Sequence, residues 1–124
     1  MNQKNYELEK KLGASLLGFL EPFNEYDREE RAIELFGSVD PNDENIFRDL
    51  LKRHFFEDAW FGNLEKAVRL DMKKSLDESL QNVDFDYEWV VSEFDGTFGL
   101  PSTWSVKNFR YLFEIIHSLV SDYW

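Results

Sequence analysis

Residues 64–80, LEKAVRLDMKKSLDESL, place an apolar side chain at every fourth position. This spacing matches the turn of an α-helix, so the stretch predicts an amphipathic helix with one face directed into a core. Charged side chains fill most of the remaining positions, as expected for a face that meets solvent. The residues predicted to point inward are Leu64, Val68, Met72, Leu76 and Leu80. The chain therefore contains at least one helix long enough to organise a core.

The N-terminal segment repeats this four-residue spacing. Its leucines predict an amphipathic helix over residues 4–20, and Pro22 ends it because the residue before a proline is pushed out of the α region. Gly13 and Gly18 weaken this helix, since each glycine in a helix interior costs about 1 kcal/mol relative to alanine. The recurring leucines are Leu8, Leu12, Leu16 and Leu20.

Start signals mark two further helices in the first half of the chain. Asp27 suits the N-cap of a helix that reaches Phe36. Asp40 followed by Pro41 suits the start of another, whose helical spacing continues to about residue 60. These signals add two short helices to the predicted fold.

The C-terminal segment is also helical by pattern. Glycines and a proline predict a loop over residues 95–102. Ser102 or Ser105 then caps a last helix that ends near Tyr123. Its inward face comprises Val106, Phe109, Leu112, Phe113, Ile116, Leu119 and Val120.

Residues 83–92, VDFDYEWVVS, fit two interpretations. Apolar side chains alternate with acids, which is the two-residue period of a half-buried strand. The alternative is a short helix capped by Asp84 or Asp86, and we favour it because no other segment alternates to provide a partner strand. We therefore expect an all-α fold, a single compact domain over residues 1–124 with about five helices and short loops, with the strand left open as the alternative.

The composition narrows the functional classes. The chain has 124 residues, a net charge of −11 and no cysteine, which excludes disulfides, thiolate metal sites and a cysteine nucleophile. Its negative charge opposes direct binding to nucleic acid and to anionic membranes. The sequence has no signal-peptide pattern at its start, and its apolar stretches are shorter than the roughly 20 residues that span a bilayer. We therefore expect a cytoplasmic protein.

Motifs for metal binding and catalysis are incomplete. Glu114-x-x-His117 has the spacing of carboxylate-bridged di-metal sites, but the sequence holds no second copy. The acids of residues 84–88 resemble the start of a calcium loop, but Trp89 stands where such a loop requires glycine. No nucleophile motif and no phosphate-binding glycine loop is present. We expect no enzymatic activity, no cofactor and no metal.

The acidic residues are concentrated in two segments. Acidic block 1, residues 21–58, has twelve acidic side chains against five basic ones, whereas acidic block 2, residues 75–106, has seven acidic side chains and no Lys or Arg. Like charges crowded together cost stability through self-repulsion, so such blocks serve solubility or a partner. Block 2 also contains six aromatic rings, and aromatic anchors surrounded by charge are typical of protein interfaces.

This pattern predicts a basic protein as the partner. A protein that itself holds nucleic acid would suit best, because carboxylates can occupy the Lys and Arg positions that otherwise contact phosphates. The candidate partner-binding residues are Asp84, Asp86, Tyr87, Glu88, Glu93 and Asp95. The rings expected outside the core are Trp60, Tyr87, Trp104, Tyr123 and Trp124.

The chain resembles the small, acidic, cysteine-free immunity proteins of bacterial toxin systems, in particular those of contact-dependent growth inhibition and of nuclease colicins. The resemblance lies in size, charge, ring content and the stretch NVDFDYEWVVSEFDG, residues 82–96. It implies a cytoplasmic protein that binds one cognate toxin domain, usually a nuclease, and covers its active site or substrate-binding surface. The alternative is another acidic interaction module, such as a secretion chaperone, a nucleic-acid mimic or a regulatory adaptor.

Overall fold

The computed structural model describes residues 5–124, and in this part of the chain all regular secondary structure is helical, without a strand. The all-α prediction is therefore confirmed, with one helix more than the expected five or so. The predicted start of the first helix at residue 4 lies outside the described residues. The helices are α1 Glu7–Gly18, α2 Glu29–Phe36, α3 Glu44–Leu51, α4 Lys66–Leu80, α5 Tyr87–Trp89 and α6 Phe109–Tyr123. Two π-helical segments extend α3 and α5, over Lys52–Phe56 and Val90–Phe94, and two 3₁₀ turns cover Glu21–Phe23 and Phe61–Asn63.

The ambiguous stretch forms a helix, so the strand alternative is wrong. The Asp86 carboxylate caps α5 by accepting a hydrogen bond from the Trp89 N–H at 3.0 Å. Tyr87, Val90 and Val91 are all buried, which is the i, i+3, i+4 spacing of a helix face. The alternation of the sequence reflects acids interleaved among core side chains, because this segment has no neighbouring strand with which to pair.

Two of the predicted N-caps are wrong. Asp27 adopts the left-handed conformation, with a φ of 60°, in the turn before α2 and provides no cap. Asp40 accepts a hydrogen bond from the Asn42 N–H, and α3 begins three residues later than predicted, where Asp43 accepts from the backbone N–H groups of residues 45 and 46. Asp and Asn tolerate left-handed turns as readily as caps, so residue type alone does not select between them.

The last helix begins later than predicted, and neither Ser102 nor Ser105 caps it. The Asn108 side chain is the cap and accepts a hydrogen bond from the Tyr111 N–H at 3.1 Å. The preceding loop is held by Asn42, which donates to the Ser105 carbonyl at 2.7 Å and accepts from the Lys107 N–H at 2.9 Å. This contact ties residues 105–107 to the turn before α3, and they stay outside the helix.

The core is built around α6, which contacts α3, α4 and α5, while α1 packs against α4 and the π-helical segment that follows α5. Fully burying a large apolar side chain contributes about 1.5–3 kcal/mol, and aromatic rings supply a large share of the buried side chains. The aromatic side chains buried there are Phe19, Phe23, Phe36, Phe47, Phe55, Phe56, Phe85, Tyr87, Phe98, Trp104 and Phe113.

Several rings expected outside the core lie inside it. Trp104 is buried and donates a hydrogen bond from Nε1 to the Phe36 carbonyl at 2.8 Å, which satisfies its one polar atom. Trp124 is partly buried and packs against the rings of Phe19, Phe55 and Phe56. An indole ring whose N–H reaches a backbone acceptor can be buried as readily as a phenyl ring. The polar N–H of tryptophan therefore does not indicate whether the ring lies inside or outside the core.

None of the helices formed by residues 5–124 combines the length and the apolar character needed to cross a membrane.

Candidate functional site

Three of the predicted partner-binding acids share one shallow groove. Asp84, Asp86 and Glu88 line a groove of about 340 Å³ together with Lys107 and Arg110. We call it the α5–α6 groove. The two basic side chains offset part of its negative charge, although they belong to α6 and its preceding loop and are absent from acidic block 2.

Asp86 is held by the fold as well as by its own cap. Its backbone N–H donates a hydrogen bond at 2.8 Å to Glu9 of α1, a carboxylate that is only 2% exposed. Its side chain is occupied by the Trp89 N–H. Asp84 and Glu88 are exposed. Asp84 and Glu88 are therefore the members of this groove that can meet a partner without disturbing a helix start.

Tyr87 is not a surface residue, so its prediction as an exposed ring is wrong. It is 2% exposed, stacks on Phe113 with 4.8 Å between ring centroids, and donates its hydroxyl hydrogen to the Ser79 Oγ at 2.6 Å. Burial raises the pKa of the Tyr87 hydroxyl, although the hydrogen bond with Ser79 and the charge of Arg110 act in the opposite direction. Because the Tyr87 hydroxyl has a hydrogen-bond partner inside the core, this polar ring can be buried there.

The remaining two predicted acids lie elsewhere. Glu93 is exposed on the π-helical segment, and Asp95 is exposed at its end. The Asp95 carboxylate accepts hydrogen bonds from the Thr97 hydroxyl at 2.7 Å and the Thr97 N–H at 2.8 Å, which lower the pKa of Asp95. Asp95 lines a second and larger groove, so the structure divides the predicted site between two places.

This second groove, about 510 Å³ in volume, runs between α1 and α4, and we call it the α1–α4 groove. The loop over residues 95–98, which lies within acidic block 2, and the turn before α4 close its ends. Volumes of about 300–1,000 Å³ are typical of sites that bind ligands. The lining residues are Ala14, Ser15, Leu17, Gly18, Glu21, Asn24, Trp60, Phe61, Leu64, Val68, Asp71, Met72, Asp95, Thr97 and Phe98.

Small residues on α1 leave this groove open. Ala14, Ser15 and Gly18 present little side chain toward α4, so the two helices meet without filling the space above their contact. A Cβ atom on Gly18 would lie 2.9 Å from the Met72 Cε. Glycine at position 18 lowers the helix propensity of α1, but its missing side chain leaves room for Met72, which forms the floor of the groove.

Two exposed apolar side chains border the floor. Trp60 is 68% exposed, as the sequence analysis expected, whereas Val68 is 43% exposed and was predicted to point into the core. Sequence reasoning missed the groove because it assigned every fourth residue of α4 to one buried face. The spacing of small residues at Ala14 and Gly18, one helical turn apart, was the available signal.

Three acids from three different elements surround the apolar floor: Glu21, Asp71 and Asp95. Among the described residues that line the groove, none is Lys, Arg or His. Asp71 accepts a hydrogen bond from the Ser15 hydroxyl at 2.8 Å, and Glu21 forms an ion pair with Arg28 at 3.1 Å. The rim is therefore negative, with one of its three charges partly compensated.

Asn24 joins the two acidic blocks beside this groove. Its Nδ2 donates to the Glu21 carboxylate at 3.3 Å and to the Thr97 carbonyl at 3.4 Å. The Glu25 N–H donates to the Gly99 carbonyl at 2.7 Å in the same seam. Acids from positions more than 70 residues apart in the sequence consequently form one surface.

The described residues hold no group of three or more Asp, Glu and His side chains arranged to bind a metal ion. The Nε2 atom of His117 lies 2.8 Å from an Asp77 carboxylate oxygen, an isolated pair on the surface between α4 and α6.

Comparisons with protein-family models, with curated proteins and with solved structures found no match for this chain.

Proposed function

We propose that this protein is a binding module that neutralises a basic partner protein and acts by contact instead of by catalysis. The observation that supports this best is the α1–α4 groove, in which an apolar floor and the exposed Trp60 are bordered by acids from both acidic blocks and by Asp71. Apolar anchors surrounded by charge of one sign favour a partner with the opposite charge.

The ion pairs that form within residues 5–124 leave the net charge of −11 unbalanced. Within this range Lys or Arg side chains pair with four acids, Glu21, Glu44, Asp49 and Glu78, and Asp77 lies beside His117. Such surface pairs add only about 0–1 kcal/mol to stability. The excess negative charge is therefore left to act on the surroundings, where it attracts a basic protein and accelerates its association.

The specific form of the proposal is an immunity protein for a bacterial toxin. It would bind one cognate nuclease domain in the cytoplasm and cover the active site or the surface that holds the nucleic acid. A nuclease presents Lys and Arg side chains to phosphates, and a carboxylate-bearing surface offers those side chains an alternative partner. The resemblance in size, charge and ring content to immunity proteins supports this form.

The decisive experiment looks for a large toxin whose reading frame ends immediately upstream of this gene and mixes the purified protein with that toxin's C-terminal domain. We expect nuclease activity to fall in proportion to added protein and to vanish at one equivalent. The dissociation constant should rise steeply as NaCl increases from about 0.05 to 0.5 M, because salt screens steering charges. Full nuclease activity in the presence of excess protein would contradict the immunity function. Binding without inhibition would instead favour the chaperone or adaptor alternative.

Charge reversal tests the acids predicted from the sequence. Asp84→Lys combined with Glu88→Lys should weaken the complex by at least about tenfold if the α5–α6 groove contacts the partner. Asp86 is left intact because its side chain caps α5. Glu114→Lys combined with Asp122→Lys is the matched control, since both residues are exposed on α6 and the change in net charge is identical. If both double variants weakened the complex equally, the effect would come from overall charge and not from contact at the α5–α6 groove.

A further inference from the structure

The α1–α4 groove is larger than a single side chain requires, and its lining has two chemical zones. Leu17, Phe61 and Met72 contribute to an apolar floor, with Trp60 standing exposed at one edge. The carboxylates lie around this floor and not within it, on α4, on the turn after α1 and on the loop after Phe94. An occupant must therefore offer apolar surface at its centre and hydrogen-bond donors at its margins.

The charge of the rim selects those donors. Glu21, Asp71 and Asp95 belong to separate elements, and no basic residue among the described lining residues opposes them. The hydrogen bonds from Thr97 lower the pKa of Asp95 and favour its charged form. An occupant with Lys or Arg beside its apolar group would satisfy both zones, whereas an acidic or phosphate-bearing occupant would be repelled.

The floor can adapt to the shape of an apolar anchor. Met72 reaches into the space left by Gly18, with its Cε 2.9 Å from where a Cβ of residue 18 would be. A thioether side chain with three rotatable bonds repacks readily and makes favourable contacts with aromatic rings. Trp60 offers a large surface that an incoming side chain can cover, and tryptophans of this kind carry much of the energy of interfaces.

A second copy of the chain is a poor occupant. Each copy carries a net charge of −11, and a groove with a negative rim repels another molecule with the same rim. Charge complementarity thus favours a different molecule over self-association.

From these observations we infer that the α1–α4 groove binds an exposed segment of the basic partner in which a bulky apolar side chain lies between Lys or Arg residues. This inference rests on the proposed function and adds the site and the chemical class of the segment. The apolar side chain covers Trp60 and the Met72 floor, and the flanking cations pair with Asp71 and Asp95. The remaining surface of the partner then lies over the acids of both blocks.

Labelled synthetic peptides test the inference without the toxin. The probe is a peptide of about ten residues with a central Leu between two pairs of Lys, and the readout is fluorescence anisotropy. One control peptide replaces the Leu with Ser and a second replaces the Lys residues with Gln. We expect the probe to bind, and each control to bind at least about tenfold more weakly.

A matched pair of protein variants locates the binding site. Val68→Lys places a cation in the groove and should weaken probe binding by at least about tenfold. Leu70→Lys makes the same change two residues away on α4, where the side chain is also exposed but does not line the groove, and should change binding by less than about twofold. Lysine is a good helix former, so both variants should keep the circular dichroism of the parent. Trp60→Ala should weaken binding as Val68→Lys does.

The outcomes separate this inference from the proposed function. Failure of the probe to bind, or equal loss in the Val68 and Leu70 variants, would overturn the groove assignment even if the protein inhibits the toxin. Sedimentation showing a dimer that Val68→Lys dissociates would overturn it in favour of a second copy. Probe binding that follows the expected pattern supports the groove assignment. This holds even if the toxin assay contradicts the immunity function.

Discussion

The Asn24 Oδ1 accepts a hydrogen bond from the backbone N–H of Gly99 at 3.0 Å, across 75 positions of the sequence. The same oxygen accepts from the Tyr26 N–H at 3.1 Å, and the Nδ2 donates to Thr97 and Glu21. Asn24 is 9% exposed, and its hydrogen bonds are partly buried. This one side chain holds the loop over residues 97–99, within acidic block 2, against the start of acidic block 1.

Asn24→Ala should therefore lower the free energy of unfolding by about 0.5–2 kcal/mol, because it removes several hydrogen bonds and leaves the partly buried Gly99 N–H without its partner. Urea denaturation monitored by circular dichroism measures the change. Asn63→Ala is the control, since Asn63 is exposed and donates only to the Ala59 carbonyl in its own turn. A loss at Asn24 no greater than the loss at Asn63 would show that the seam contributes little.

Tyr87 and Ser79 form a buried pair that a double-mutant cycle can isolate. Tyr87→Phe should cost about 0.5–1.5 kcal/mol, because the buried Ser79 hydroxyl loses the hydrogen donated to it at 2.6 Å. Ser79→Ala added to Tyr87→Phe should cost less than the sum of the two single changes, since both polar partners are then gone. Thermal or urea unfolding provides the four values. Additive costs would mean that the two hydroxyls act independently.

Replacing glycine with alanine should affect stability strongly at Gly62 and hardly at all at Gly96. Gly62→Ala should destabilise the protein by about 1–3 kcal/mol, because the added Cβ would lie 2.4 Å from the Phe56 carbonyl oxygen. Gly96→Ala should change stability by no more than about 0.5 kcal/mol, since nothing lies within 4 Å of a Cβ there. Urea midpoints of the two variants test this. Similar urea midpoints for the two variants would contradict the close approach of the Phe56 carbonyl oxygen to residue 62.

His54 predicts a pH dependence. Its imidazole meets the Phe36 ring edge-on at 5.0 Å between centroids, and burial, with the nearby Arg53 charge, lowers the pKa of His54. The unfolded chain binds this proton at a pH of about 6.5, before the folded protein does. Stability should therefore fall as the pH drops from about 7 through 6.5 toward the lower folded pKa.

His54→Gln should flatten the fall of stability between about pH 7 and pH 5, and NMR titration should show His54 charging below pH 6.5. His117→Gln is the control, because His117 lies at the surface beside Asp77. The lowered pKa values of Glu44 and Asp95 act at more acidic pH and leave this window clear. An unchanged slope in the His54 variant would contradict the prediction.

Helix content could be predicted because the spacing of apolar residues repeats with the turn of the helix. Leu12 and Leu16 of α1 and the inward residues Met72 and Leu76 of α4 are buried as that spacing requires. The starts of α2 and α3 could not be placed, since Asp27 and Asp40 suit a turn and a cap equally well. Which of these roles an aspartate takes depends on the backbone that follows it.

Only part of the candidate site could be predicted from the sequence. The sequence located the excess of acids, and it predicted an exposed Trp60, because both follow from residue types. It could not place Tyr87, whose hydroxyl meets Ser79 on another helix, nor Val68, which borders a groove that exists only because α1 opposite carries small residues.

Sequence alone determined the class of fold, the absence of cysteine chemistry and the sign of the surface, since local periodicity and composition do not depend on distant contacts. Only the tertiary structure decided that acids from the two blocks meet across Asn24, that Tyr87 and Trp104 belong to the core, and that an apolar groove opens between α1 and α4. Each of these outcomes depends on which side chains of one element face those of another, and such pairings arise when the whole chain packs.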